Sequence, residues 1–408
     1  MSLLERPGSN FALELRQGWA DLLGATIGLA CGVGLYTPIS SMFFRALEIE
    51  FHWSKTAAVV ALIALPITAV FLPWVGRLVD RFGVQPVAGT SAALLAVTFF
   101  VLARIDGSLV AFYCAFVAFN VLGAATGPIS YTRPVAHRFT TSRGTAIAIA
   151  LSGIAISGLV LPPILGPLIA HGGWRAGYRL IAGITLVGGV VAVLLIRSSG
   201  RSQRHEEEGG FTRAQALATG AFWSLGGAVF CASAASVGFV SQLQSVALEF
   251  GATLRQSTVL LSVTSLAVLP SRLLAGWTLD RLRPERVAAV FLLVSSVGFV
   301  LWLDSHGPFL TAIAGSILLG VSLGSEHALM SFFCARRFGL RAYSAVFGAL
   351  AVFMYLGMLA GGLLFALVHD RTSSYAGAIR ASIGLMLLAA ILFLRLPQVS
   401  RPVGKSFA

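Results

Sequence analysis

Twelve long apolar stretches, separated by short turns rich in arginine, constrain this chain more than any other feature. A run of about 20 apolar residues is the length that crosses a bilayer as a helix. Lipid supplies no partners for backbone N–H and C=O groups, so each run must satisfy them internally, which a helix does. Composition points the same way: 57% of the residues are hydrophobic and 11% are charged, where a soluble domain carries roughly 25% charged residues. The fold class expected is an all-α membrane protein with transmembrane helices near 18–46, 54–75, 85–104, 107–132, 143–170, 174–196, 218–248, 256–279, 286–303, 308–335, 342–368 and 375–396. Gly153, Gly158, Pro162, Pro163, Gly166 and Pro167 crowd the fifth of these. Small residues permit close helix approach in lipid, and neighbouring helices re-satisfy a broken turn.

Charge sets the orientation. With both termini in the cytoplasm, about 20 of the Lys and Arg residues fall inside and about 8 outside, which is the positive-inside bias. Arg77/Arg81, Arg133/Arg138/Arg143, Arg281/Arg283/Arg286 and Arg336/Arg337/Arg341 all lie on that face. The net charge of +13 therefore reads as topology and contact with anionic lipid, and not as a nucleic-acid surface, because it is divided among short juxtamembrane loops.

The one long polar connection, 197–215, separates an N-terminal six-helix bundle (1–196) from a C-terminal one (216–408). Glu206, Glu207 and Glu208 within it read as a solvated linker. The two bundles echo each other. GRLVDRFG begins at Gly76 and GWTLDRLR at Gly276, so Gly76, Asp80 and Arg81 recur as Gly276, Asp280 and Arg281. LGAATG at 122–127 is matched by LGVSLG at 319–324, and Arg138-Phe139 by Arg337-Phe338. A six-plus-six duplication of this kind predicts two pseudo-symmetric bundles, with a small molecule bound near the bilayer midplane between them by alternating access.

Other chemistries find no foothold. Cys31, Cys114, Cys231 and Cys334 all fall in apolar runs, at spacings that suit packing and not a metal or a disulfide. No nucleophile elbow, metal cluster or phosphate-cradling loop stands in a plausible context, so neither an enzyme nor a cofactor is expected. The N-terminus lacks the pattern of a cleaved signal, and neither Asn10 nor Asn120 begins a glycosylation sequon. A bacterial inner membrane and a monomer are the expectations. A transporter-like receptor usually needs a signalling extension, and neither terminus is long enough to suggest one.

GRLVDRFG after the second span, with its degenerate copy after the eighth, resembles the loop motif of the major facilitator superfamily. The resemblance implies a conformational latch of Gly76, Asp80, Arg81, Gly276, Asp280 and Arg281. In it Gly76 lets two helices approach, Asp80 faces a neighbouring helix N-terminus, and Arg77 and Arg81 reach carboxylates or last-turn carbonyls. Within the superfamily the chain resembles bacterial relatives of the monocarboxylate porters and the oxalate/formate exchangers. EFHWSKT (Glu50 to Thr56), the run from Arg143 through Ala146, Ala150 and Gly153, and SEHALMSFFCARRFGLRAYSAVFG (325–348) carry that resemblance. It departs in the first span, where Tyr36-Thr37-Pro38-Ile39 holds no lysine, at Val268, where the porters have aspartate, and at Phe353-Met354-Tyr355, where the exchangers have lysine.

Arg272 is the first candidate for a substrate-binding residue. An ionised side chain in mid-span usually faces a cavity or a partner, and its planar fork matches a carboxylate. It aligns with the eighth-span arginine of the resembling family, which implies contact with a substrate carboxylate; the alternative is a structural salt bridge. Glu326, also within a span, is read as a proton-coupling group or a counter-ion to Arg272. His327 is read as packing or a secondary candidate, since adjacent helical positions point about 100° apart. Tyr36, Asn120, Gln242 and Tyr355 are softer substrate-binding candidates, each equally readable as interhelical glue. Asp21, Arg45 and Arg104 read as span-end groups that reach the interface. The leading expectation is a secondary transporter of a small organic anion, a monocarboxylate first, with proton symport or anion exchange. The runner-up is a drug or metabolite efflux antiporter, whose fifth-span glycine signature is only partly met by Gly144, Gly153 and Ser157-Gly158.

Overall fold

The computed structural model describes residues 7–53, 64–197, 210–303 and 309–397. The start of the second expected span, most of the 197–215 linker with its three glutamates, and both termini lie outside those residues. Every described element of any length is helical. In chain order these are α1 (Pro7–Cys31), α2 (Ser40–Phe51), α3 (Ala64–Phe82), α4 (Val84–Leu102), α5 (Leu109–Gly123), α6 (Pro128–Arg138) and α7 (Arg143–Leu195). They continue with α8 (Arg213–Leu217), α9 (Gly220–Glu249), α10 (Leu254–Arg281), α11 (Pro284–Leu303), α12 (Phe309–Phe338), α13 (Tyr343–Thr372) and α14 (Ala376–Leu394). Each of the twelve expected stretches contains helix. Among the described residues nine segments are long and apolar enough to cross a membrane, and the longest, 143–195, is two helices joined end to end.

The boundaries differ from the expected spans where glycine lets the chain leave the helix. The first span breaks after α1. Gly32 is extended (φ −84°, ψ −164°), two short 3₁₀ turns follow, and Val33 N–H donates to Thr126 Oγ1 at 2.8 Å. The fourth span breaks at the partner position, where Gly127 is extended between α5 and α6. The joint in α7 sits at Gly173, φ +74°. Ser373, 200 positions on, holds φ +53° between α13 and α14, and His52 and Gly251 form a second such pair at φ +53° and +89°. At the end of the expected linker, Thr212 and Gln215 form the reciprocal capping box that starts α8.

Contacts divide the chain into two units. The first comprises Met1–Thr141, Ile149–Gly210 and Gly339–Gly348; the second comprises Ser142–Ala148, Phe211–Phe338 and Ala349–Ala408. The first unit is centred on an aromatic cluster that includes Tyr36, Phe43, Phe99, Phe116, Phe119 and Tyr178. Tyr36 and Phe119 meet edge-on with centroids 5.1 Å apart, the geometry that sets a ring's positive edge against a negative face. The second unit packs Phe239 against Trp302 (5.2 Å) and Phe333 against Phe393 (5.2 Å).

Polarity is inverted relative to a soluble domain. Leu159, Leu194 and Leu266 are about three-quarters exposed (74%, 77% and 76%), while Ser130, Thr132, Thr185, Ser233 and Ser295 are fully buried. Soluble monomers rarely show apolar surface on that scale, whereas lipid solvates it.

Candidate functional site

The two intramembrane charges lie in the second unit, both buried, with 7% of Arg272 and 6% of Glu326 exposed. Thr253, capping α10 through its own reciprocal box with Gln256, begins the helix that carries Arg272. Arg272 Nε donates to the carbonyl of Gly324 on α12 at 3.2 Å. That reach depends on Gly324. A Cβ there would meet the Val268 carbonyl and lie 2.9 Å from Ser271 Cβ, so a larger residue would push α10 and α12 apart. Glu326, two residues on, takes a hydrogen bond from Ser233 Oγ on α9. Among the described residues no ion pair joins Glu326, on α12, to Arg272, on α10. Ser233 is a residue that sequence reasoning missed, since it stands in a run of alanines and serines that signals close packing and nothing more.

The softer candidates sort by what their polar ends do. In the first unit, the Tyr36 hydroxyl shares a 2.8 Å hydrogen bond with the Tyr178 hydroxyl deep in the aromatic cluster. Asn120 Nδ2 donates to Phe116 O of its own helix at 2.9 Å. In the second unit, Gln242 on α9 and Tyr355 on α13 are half-buried, and their side chains make no hydrogen bond among the described residues. His327 is half-buried, next to Glu326 in sequence but three positions from Gly324, hence on the stripe of α12 that faces Arg272.

The repeated loop motifs have a common geometry inside each unit. Asp280, at the end of α10, accepts from Gly144 N at 2.6 Å and from Thr145 N and Oγ1 at 2.7 Å each, so its carboxylate caps the first turn of α7. Asp80 accepts from Ser344 N at 3.1 Å and Ala345 N at 2.8 Å, capping α13, and lies 3.5 Å from Arg133 Nε. Helix N-termini leave such N–H groups without partners in their own helix, and negative charge is favoured there. Gly76 and Gly276 stand at close helix approaches. A Cβ on Gly276 would lie 2.5 Å from Ala148 Cβ, and one on Gly76 2.7 Å from Ala345 Cα.

Arg77 and Arg81 are placed differently from expectation. Arg77 lies over Trp74 (4.9 Å) and Arg81 over Phe82 (5.2 Å), while Arg281 stacks on Trp277 (4.3 Å) and donates to the Trp277 carbonyl at 3.3 Å. It is Arg133, from α6, that meets Asp80. Asp21 also departs from expectation. It is buried, at 1% exposure, and takes Arg138 Nε at 2.9 Å and Arg197 N at 2.8 Å, where a span-end residue would reach the interface. One guanidinium and one backbone N–H, from chain segments far apart, satisfy the buried carboxylate. Arg104 is exposed as expected, and the Arg45 side chain lies outside the described residues.

A shallow open depression of about 370 Å³, lined by Arg255, Val259, Ser262, Val263 and Leu266, opens near the start of α10. Its lining runs along α10 from Arg255 to Leu266, and Leu266 is six residues, or about 9 Å along the helix, from Arg272. Its exposed valine and leucine suit lipid more than a polar solute.

A sequence model of the Major Facilitator Superfamily matches residues 22–243 and again 223–408, one match per half of the repeat. The chain belongs to the major facilitator superfamily. It is thus a multi-pass membrane transporter and not an enzyme. Human monocarboxylate transporter 11 is 23% identical over 95% of this chain and 85% of that protein. An uncharacterized MFS-type transporter of Escherichia coli K12, YhjX, is 23% identical over 85% of this chain and 86% of its own length. Among solved structures, the Escherichia coli fucose:proton symporter superposes with a TM-score of 0.73 at 15% identity, covering 93% of this chain and 98% of that one. A proton:xylose symporter gives 0.72 at 12% identity, covering 93% and 96%. At such identities these structures speak for the fold alone, and they agree with the twelve-helix reading.

Proposed function

We propose that this transporter moves a small organic anion, a monocarboxylate first, by alternating access with proton symport or anion exchange. The observation that carries the reading is Arg272: a guanidinium buried in mid-span, its plane oriented by the Gly324 carbonyl, on a helix that holds no acidic residue before Asp280. Placing such a charge at bilayer depth costs about 2.5–3.5 kcal/mol on insertion scales, and carboxylate recognition is what a planar fork does best. The names of the human and mouse relatives, monocarboxylate transporter 11 in both cases, support the same substrate class. Glu326 is the proton-carrying group in this reading, because its carboxyl meets a hydroxyl that accommodates both of its protonation states. Gln242 and Tyr355, with polar ends not spent on helix packing, are better placed to orient a ligand than Tyr36, whose hydroxyl is committed to Tyr178.

The motif residues Gly76, Asp80, Arg81, Gly276, Asp280 and Arg281 act as the conformational latch, with Arg133 and Thr145 added to it. The transporter works as a monomer in the bacterial inner membrane with both termini in the cytoplasm. A thermal-shift screen of the purified protein against carboxylates of graded length, at two pH values, tests the reading. A ligand present at 100 times its Kd stabilises the native state by about 2.7 kcal/mol. The shift should appear with carboxylates, vanish in Arg272→Ala and return in part in Arg272→Lys. A response confined to bulky cations or neutral drugs would replace this reading with the efflux one.

A further inference from the structure

α12 meets its two neighbours through opposite faces. Gly320 and Gly324, four residues apart, form one stripe and lie against α10: a Cβ on Gly320 would be 2.6 Å from Ala267 Cβ, and Gly324 receives Arg272. Ser322 and Glu326, also four apart, form the other stripe and lie against α9. There Ser236 Oγ donates to Ser322 Oγ at 3.0 Å and Ser233 Oγ donates to Glu326. Successive helical residues turn by about 100°, so Gly324 and Glu326 stand about 200° apart around the helix axis. Gly324, whose carbonyl receives Arg272, and Glu326 are therefore on opposite sides of the α12 axis.

We propose that Ser233 is the positioning residue of Glu326, and that it holds the proton-carrying carboxyl on the face of α12 turned away from the anion-binding guanidinium. The two ligands are then linked through movement of α12 and not through competition within an ion pair. This rests on the reading of Glu326 as the proton carrier.

The chemistry of the pair suits the role. A serine hydroxyl both donates and accepts, so it serves the carboxylate as donor and still has lone pairs for the acid's O–H. Arginine has donors only, and a direct pair would be strained or broken whenever the carboxyl took up a proton. The surroundings add little charge. Along α9 the titratable side chains are Cys231, two residues from Ser233 and so on the opposite side of the helix, and Glu249 at the far end; on α12 His327 follows Glu326 but belongs to the Arg272 face. Ser322, Ser325 and Ser236 extend the hydroxyl seam, with Ser325 Oγ donating to Ser322 O at 3.1 Å.

Acid-minus-alkaline infrared difference spectra of the full-length protein in lipid test the proposal without a known substrate. The wild type should show the C=O band of a protonated carboxyl that is missing in Glu326→Gln. In Ser233→Ala that band should move to higher wavenumber, because its oxygen has lost a donor; in Ser233→Thr it should return, and in Arg272→Lys it should stay in place. Should Ser233→Ala not be recovered from the membrane, Ser233→Cys, a weaker donor, should give a smaller displacement in the same direction. A band unmoved in both Ser233 variants overturns the positioning role. A displacement in Arg272→Lys as large as that in Ser233→Ala overturns the separation of the two groups. A wild-type spectrum identical to that of Glu326→Gln overturns instead the reading of Glu326 on which the proposal rests.

Discussion

Replacing Asp280 with asparagine isolates the cap that the second loop motif places on α7. The carboxylate takes three hydrogen bonds, from Gly144 N, Thr145 N and Thr145 Oγ1, all between 2.6 and 2.7 Å. Asparagine keeps one acceptor oxygen and turns the other into an NH₂ group that confronts an N–H donor. The loss is then at least one charge-assisted bond, about 1.5–3 kcal/mol, together with the favourable meeting of negative charge and helix N-terminus, about 0.3–1 kcal/mol. The sum of about 2–4 kcal/mol corresponds to a local opening equilibrium raised at least about 30-fold, taking 1.4 kcal/mol per decade. Hydrogen exchange followed by mass spectrometry on peptides covering 142–148, with the protein in lipid nanodiscs, reads this directly. Thr145→Val deletes the hydroxyl bond alone and should give a smaller loss of protection. Unchanged exchange in Asp280→Asn would refute the carboxylate as cap. Equal losses in the two variants would refute the assignment of most of the energy to the backbone bonds.

Two further perturbations follow from the geometry. Gly144→Ala would set a Cβ 2.5 Å from the Gly276 carbonyl and 2.9 Å from Asp280 Oδ1, so it should destabilise the protein by about 1–3 kcal/mol; a melting temperature in detergent equal to that of the wild type would show that this close approach does not exist. Glu50, at the end of α2, takes Arg175 Nη1 at 2.6 Å and Trp174 Nε1 at 2.5 Å, and these bonds, the arginine's first, hold its carboxyl below the ordinary glutamate range. A carboxyl lowered in this way contributes stability that is complete above the ordinary range and is lost as pH falls through the lowered value. Glu50→Gln should therefore melt below the wild type at neutral pH and converge with it in acid, and melting curves that stay parallel across pH would remove the clip.

The architecture was legible because the bilayer leaves few choices. Apolar runs of helical length, arginine on one face and a repeated GxxxDR loop are enough to lay out twelve spans and a duplication. The breaks at Gly32 and Gly127 were not legible, since glycine in a membrane helix marks close packing as often as a break, and the deciding bond from Val33 N to Thr126 Oγ1 joins residues 93 positions apart. Asp80 and Asp280 could be recognised as cap residues from their motif, but the cation beside Asp80 could not. The motif's own Arg77 and Arg81 are near in sequence, whereas Arg133 comes from another helix. Asp21 misled for the same reason, because its depth depends on Arg138 and Arg197 arriving from elsewhere. Arg272 and Glu326 were visible as charges out of place, while the face of α12 that each addresses depends on Ser233 and Gly324, two of the least conspicuous residue types in a membrane span.

The left-handed turns at Gly173 and Ser373, and at His52 and Gly251, carry a record of their own. In each pair, 199 or 200 positions apart, one copy is glycine and the other is a residue that meets a steric penalty at positive φ. At these two turns the sign of φ is shared between the halves although the side chain is not. A search for other fused duplicates that aligned backbone signs in place of letters would find kinship long after the letters had diverged.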